Sequence, residues 1–164
     1  MAFGALKKKN EFKEKKRKES SYLTILIGNE MYAVDVRKVK QVLKIADISF
    51  VPNSLPFMKG VIDLRGKIVP LIDMRLKFNI EENKYIDSAS IVVVRVKKNL
   101  IGMIVDNVVD VVTLKLSLVQ DVPHYTANIE ADCIKGLSQV DDRIIIIMNV
   151  DRILTSDELE SVKT

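Results

Sequence analysis

The side chains able to do covalent or metal chemistry are few in this chain. It has one histidine, His124, and one cysteine, Cys133. A metal centre or a phosphorelay needs ligands or acid–base groups that converge, and one imidazole between Pro123 and Tyr125 reads as a loop residue instead. Cys133 falls in a stretch that reads as strand, where a free thiol packs as a small apolar group. A single cysteine allows no internal disulfide and fits a reducing compartment. Asp35, Asp73 and Asp106 each end an apolar run, which raises the possibility of paired carboxylates. At the point where a strand gives way to a helix, however, an aspartate most often accepts backbone N–H bonds. Neither GxxxxGK[ST] nor GxGxxG occurs, so phosphate cradling has no support. Catalysis, a metal or a cofactor is not expected. Arg65 is the more telling residue, set in the turn of GVIDLRGKIVPLIDMRLKF (60–78) between two apolar runs. A guanidinium there offers a planar fork suited to recognition.

Charge narrows the partners. The net +4 is concentrated at the start: residues 1–19 hold eight Lys or Arg against three acids, and the remainder is close to neutral. The first 20 residues read as a basic, solvated tail without the apolar content to fold. Stacking nucleic-acid readers want aromatics on a basic face, and here Trp is absent while Phe and Tyr are scattered, so nucleic acid is not an expected partner. No apolar run approaches the ~20 residues of a bilayer span, and no apolar stretch follows the basic start as in a secretory signal. The expectation is a soluble cytoplasmic protein with no direct membrane insertion.

The elements that must position Arg65 are mostly strands. IVVVRV (91–96), VVDVV (108–112) and IIIIM (144–148) are rich in residues branched at Cβ, which favour a pleated surface. SYLTILIG and NEMYAVDV read as two strands turning at Gly28-Asn29. Val36, Val39, Val42 and Leu43 then follow the stripe of a short helix. A loop between Pro52 and Pro56 leads to the Arg65 hairpin, where Gly66 suits a positive φ. A helical turn and polar connector follow Asp73, then three strands, an irregular stretch from Pro123 to Asn128, and a last hairpin turning at Asp141-Asp142. The chain ends in a helix with Ser156 as its cap.

The halves echo each other. Lys59-Gly60-Val61 and Lys67-Ile68-Val69 recur 76 residues later as Lys135-Gly136-Leu137 and Arg143-Ile144-Ile145, and Val34-Asp35 recurs 71 later as Val105-Asp106. From Val39 and Val42 the apparent offset drops to 70. Two units too small to bury separate cores predict an all-β fold of two five-stranded closed barrels with an apolar interface. The expected organisation is a tail over 1–20, one two-barrel domain over 21–155, and the end of a helix over 156–164.

Four ordered blocks carry a resemblance: YAVDVRKVKQV (32–42), VPNSLPFMKGVIDLRGKIVPLIDMR (51–75), IGMIVDNVVDVV (101–112) and IKGLSQVDDRIIIIMNVDRIL (134–154). Together they resemble the CheW family of bacterial chemotaxis adaptors. The resemblance implies two SH3-like or OB-like five-stranded barrels on a shared core, without enzymatic activity. It implies two partners in membrane-associated arrays: the cytoplasmic tip of a chemoreceptor and the regulatory domain of the chemotaxis histidine kinase. It also implies an apolar receptor groove lined by Val36, Val39 and Val42, with Val111 opposite and Leu23 joining them. In the residues' own pattern, a groove-facing and a core-facing stripe look alike. Arg65, with Gly60, Gly66 and Gln41, is implied at a coupling interface. Gln41 stands where many members have an acid able to pair the arginine, and Asp63 replaces a common Asn. The kinase contact is expected at the loop near Pro52 and Pro56. The alternative is a family member that binds the kinase domain without touching a receptor.

Overall fold

The computed structural model describes residues 19–45, 48–52, 55–80, 89–121 and 133–162. The basic tail up to residue 18, the connector 81–88 and the Pro123–Asn128 stretch with His124 lie outside them. Among the described residues there are ten strands: β1 Glu19–Ile27, β2 Glu30–Asp35, β3 Val39–Lys44, β4 Met58–Leu64, β5 Lys67–Asp73, β6 Ser90–Val96, β7 Asn99–Val105, β8 Asn107–Lys115, β9 Ile134–Val140 and β10 Arg143–Met148. The described residues also hold two short α-helices, α1 Met74–Lys77 and α2 Ser156–Val162, and 3-10 turns at Val36–Lys38, Leu116–Leu118 and Val150–Arg152.

The strands form two five-stranded sheets ordered β8-β1-β2-β10-β9 and β3-β6-β7-β5-β4. Each closes on itself through one short bridge. In the first, Gln120, just past β8, exchanges backbone bonds with Leu137 of β9 at 2.7 and 2.8 Å; in the second, Ser49, past β3, does so with Val61 of β4 at 3.0 and 2.9 Å. The closing backbone passes so near that a Cβ on Gly60 would lie 2.3 Å from the Ser49 carbonyl oxygen, and one on Gly136 2.5 Å from Val119 Cγ1. The repeated Lys-Gly pair is therefore where each barrel shuts.

Contiguous halves do not make the barrels. β3 follows β2 in the chain yet pairs with β6 in the second barrel, and β8 follows β7 yet pairs with β1 in the first. Relative to the halves β1–β5 and β6–β10, three strands change places, β3–β5 joining β6 and β7 and β8–β10 joining β1 and β2. The register replaces the apparent offset of 70 over part of these strands: Leu43 faces Ile91 as Leu114 faces Ser20, an offset of 71 that holds from residues 41–44 to 112–115 and ends at Val39, because the bulges of β3 and β8 fall at different places.

The expected helical stripe from Val36 to Leu43 is corrected by the structure: only Val36–Lys38 turns, as a single 3-10 turn, and Val39–Lys44 is strand. The pairing skips from Val39 opposite Val94 to Gln41 opposite Val93, leaving Lys40 as an extra residue. Such a bulge shifts the alternation by one, so Val39 and Val42 share a face although they are three apart, which imitates a helix.

Alternation elsewhere separates three cores. In β6, Ile91 and Val93 point into the second barrel with Val69, Leu71 and Ile104, while Val92, Val94 and Val96 join the core between the barrels. In β1, Leu23, Ile25 and Ile27 enter that shared core, and Tyr22 packs in the first barrel with Ala33, Leu114 and Ile147. Strands buried on both faces read as unbroken apolar runs. Tyr32 stacks on Phe78 at 5.4 Å within the shared core, where burial pushes its hydroxyl pKa far up. Cys133, one residue before β9, is buried there too.

Helix α2 lays Leu159 and Val162 on the shared core. Its cap is Thr155 rather than the expected Ser156: Thr155 Oγ1 accepts from the Glu158 amide at 3.1 Å, and Glu158 Oε1 accepts from the Thr155 amide at 2.9 Å. This reciprocal Thr-x-x-Glu box satisfies two donors at the helix start.

Candidate interaction surface

The exchanged strands put an apolar rim where the barrels meet. Residues directly opposite in a pair share a face. Val39 and Val42 lie opposite Val94 and Val92, both members of the shared core, and Val111 lies opposite Leu23, also a member. Yet Val42 and Val111 remain 43% and 55% exposed, because β3 and β8 end their ladders and nothing among the described residues covers that side. Val36 and Val39 are partly buried against the shared core, as is Val108, and Leu23 is buried. Leu23, Val36 and Val39 thus belong to or pack on the shared core, and Val42 and Val111 lie on the faces of β3 and β8 that turn toward it. Leu23 is buried there, and Val42 and Val111 are open apolar groups. Val109, 46% exposed, extends the apolar surface of β8.

The polar groups around the rim are tied down. The Asp35 carboxylate accepts from the Arg37 amide at 2.9 Å and its guanidinium at 2.7 Å; the guanidinium bonds, more than the amide, hold the carboxyl below its usual range. Lys38 Nζ lies 3.1 Å from Asp151. Buried Thr24 exchanges bonds with Asp110 at the bulge in β8: its hydroxyl donates to the Asp110 carbonyl and accepts from the Asp110 amide, each at 3.0 Å. Asp73 accepts from the Arg75 and Leu76 amides and starts α1. Asp106 takes both arms of Arg75, each at 2.6 Å, and the Gly28 amide at 2.8 Å. That last cluster joins α1 of the second barrel to the β1–β2 turn of the first. All three aspartates accept backbone N–H bonds, in keeping with the structural reading of them.

Arg65 stands apart from this face. With Gly66 it forms the two-residue turn of the β4–β5 hairpin, at φ 53° and 85°, pinned by the Gly66 amide donating to Asp63 Oδ1 at 2.8 Å. Both positive φ values fit a right-twisting hairpin. The Arg65 side chain is exposed and makes no hydrogen bond or ion pair among the described residues. Gln41 faces Val93, toward the interior of the second barrel, and also makes no side-chain hydrogen bond among them. The structure therefore does not join Arg65 to Gln41. Pro52 and Pro56 are exposed and follow Phe50, which is 78% exposed.

Sequence reasoning missed two further exposed side chains. Ile68 and Ile144, 56% and 62% exposed, occupy equivalent places beside the two hairpin turns, although their runs look core-bound. Each is the second residue of its strand, β5 or β10, where alternation points it away from the barrel interior; the 76-residue repeat pairs them.

Residues 21–158 match the family model of the CheW-like domain. The chain is similar to the chemotaxis protein CheW of Klebsiella aerogenes, 30% identical over 141 residues, covering 86% of this chain and 85% of that one. It is similar as well to the chemotaxis protein CheW of Thermotoga maritima, 32% identical over 139 residues, 84% and 89% covered. Its fold matches the crystal structure of the scaffolding protein TtCheW from Thermoanaerobacter tengcongensis with a TM-score of 0.79 at 27% identity, covering 85% and 90% of the two chains. Two closed five-stranded sheets in one shared core and a family match over most of the chain lead to one statement: this protein belongs to the CheW-like family.

Proposed function

We propose that this chain is a non-enzymatic chemotaxis adaptor. It holds a chemoreceptor's cytoplasmic tip on the face between its barrels and the regulatory domain of the chemotaxis histidine kinase elsewhere on its surface. The observation that carries this reading is the pair Val42 and Val111, exposed on the side that otherwise forms the shared core. An apolar strip flanked by fixed charges suits the apolar face of an amphipathic helix, and a receptor tip is helical. Arg65, unpaired within the described residues and raised on a rigid two-residue turn, is available to a carboxylate on a partner. The loop around Pro52 and Pro56, with exposed Phe50, is the surface assigned to the kinase. No helix of the described residues is long and apolar enough to cross a membrane, and the adaptor works in the cytoplasm, recruited to arrays by its receptor.

The test is a titration with a receptor-tip fragment and with the kinase regulatory domain, singly and together. Binding of both at dissociation constants on the order of micromolar, about −8 kcal/mol each, with a ternary complex, is the expected result. Binding of the kinase domain alone would replace this reading with that of an array protein lacking receptor contact.

A further inference from the structure

The end of the first barrel carries an apolar patch with an acidic rim. Leu118 and Ile144, 61% and 62% exposed, border an open depression of about 690 Å³ that Asp141 and Asp142 edge from the hairpin turn. A neighbouring depression shares Ile144 and Asp142 and continues to Met31 and Glu30, with Arg143 the cation along it. Strand pairing places the start of the described chain beside this patch: Glu19 of β1 lies opposite Lys115 of β8, and Leu116–Leu118 follows directly. The described chain therefore begins next to Leu116–Leu118.

Those residues have complementary chemistry. Positions 1–18 hold eight Lys or Arg against Glu11 and Glu14, with Phe3, Leu6 and Phe12 among them. A segment of that length spans up to ~60 Å when extended, enough to cross one barrel end. The second barrel supplies the contrast. Its equivalent isoleucine, Ile68, borders a depression edged by Lys67 and Lys98, beside the Arg65 turn. A basic segment is repelled there and attracted at the aspartates.

We propose that residues 1–18 dock in cis on the end of the first barrel, apolar side chains against Leu118 and Ile144 and cations against Asp141 and Asp142. This makes the patch a self-covered surface that any partner of the barrel end must uncover.

The test places a benzophenone photo-crosslinker at Phe12 in the full chain and maps its products. Crosslinks to 116–120 and 139–144 are expected to exceed those around Ile68 about tenfold, a preference of ~1.4 kcal/mol. They are expected to be lost in about 1 M NaCl, where the screening length falls to ~3 Å. Joint Asp141→Asn and Asp142→Asn substitution is expected to lower the yield; Asn tolerates the positive φ of 49° and 63° at these positions, so the turn survives. Equal yields at Ile144 and Ile68, a yield unmoved by the double substitution, or crosslinks that join isotopically distinct copies in dilute solution would each overturn the proposal.

Discussion

At the scale of single residues, the two hairpin glycines separate shape from recognition. Gly60 has φ 150° and no room for a Cβ, whereas Gly66 has φ 85° with open space around it. Gly66→Ala is expected to cost about 1–2 kcal/mol, the strain of a positive φ alone. Gly60→Ala must also push back the Ser49 carbonyl and disturb the closing bridge, so thermal or urea melts should place its cost clearly above that of Gly66→Ala. Arg65→Ala removes an exposed side chain without a partner among the described residues, and its stability is expected to stay within about 0.5 kcal/mol of the parent. A large drop in melting temperature would make Arg65 structural. The turn itself was legible, because Arg-Gly between apolar runs and Asp-Asp at the same place in the second half obey hairpin chemistry. The partner of Arg65 was not. A residue type names what it can bond, not what folding brings to it.

At the scale of elements, α2 is held by polar contacts that carry a pH signature. Lys77, only 3% exposed at its side chain, meets Glu158 at 3.0 and 3.2 Å and lies 4.5 Å from the centre of the Phe57 ring. Burial alone would raise the Glu158 carboxyl; the Thr155 amide and the Lys77 ammonium more than offset it and hold it below its usual value. A carboxyl lowered on folding stabilises above its unfolded value, about 4.5, and that stability is lost as pH falls through the lowered folded value. Melting curves between about pH 3 and 6 should show it, and Glu158→Gln should flatten that part of the profile. At neutral pH, Glu158→Ala is expected to cost about 2–3 kcal/mol, since it takes from a buried ammonium its carboxylate, itself 21% exposed. Strand β3 shows why some elements misread. Val36, Val39 and Val42 keep helical spacing only because a bulge at Lys40 resets the alternation. The bulge is a property of pairing with β6, some fifty residues away, and leaves no local mark.

At the scale of the whole molecule, strand exchange makes the two barrels one cooperative body. The repeat at 71 and 76 residues was visible in the sequence and led to two barrels, but each half contains the right elements for its own barrel. Nothing local says that β3–β5 and β8–β10 trade places; that choice lies in the shared core and in ties such as Arg75 with Asp106 and Gly28. Neither half can close alone, so fragments 1–88 and 89–164 are each expected to lack cooperative unfolding and to recover it when combined. Two independent transitions in calorimetry of the intact chain would contradict this. The exchange is also what leaves the edges of β3 and β8 open at the junction, and there the proposed adaptor function rests. The most direct test is the affinity of a receptor-tip helical fragment for the Val42→Lys variant, with melting temperature and kinase-domain binding measured beside it. The account predicts at least about a tenfold loss of receptor-tip affinity, ~1.4 kcal/mol, with the other two unchanged. Unaltered receptor-tip affinity in that folded variant would contradict it.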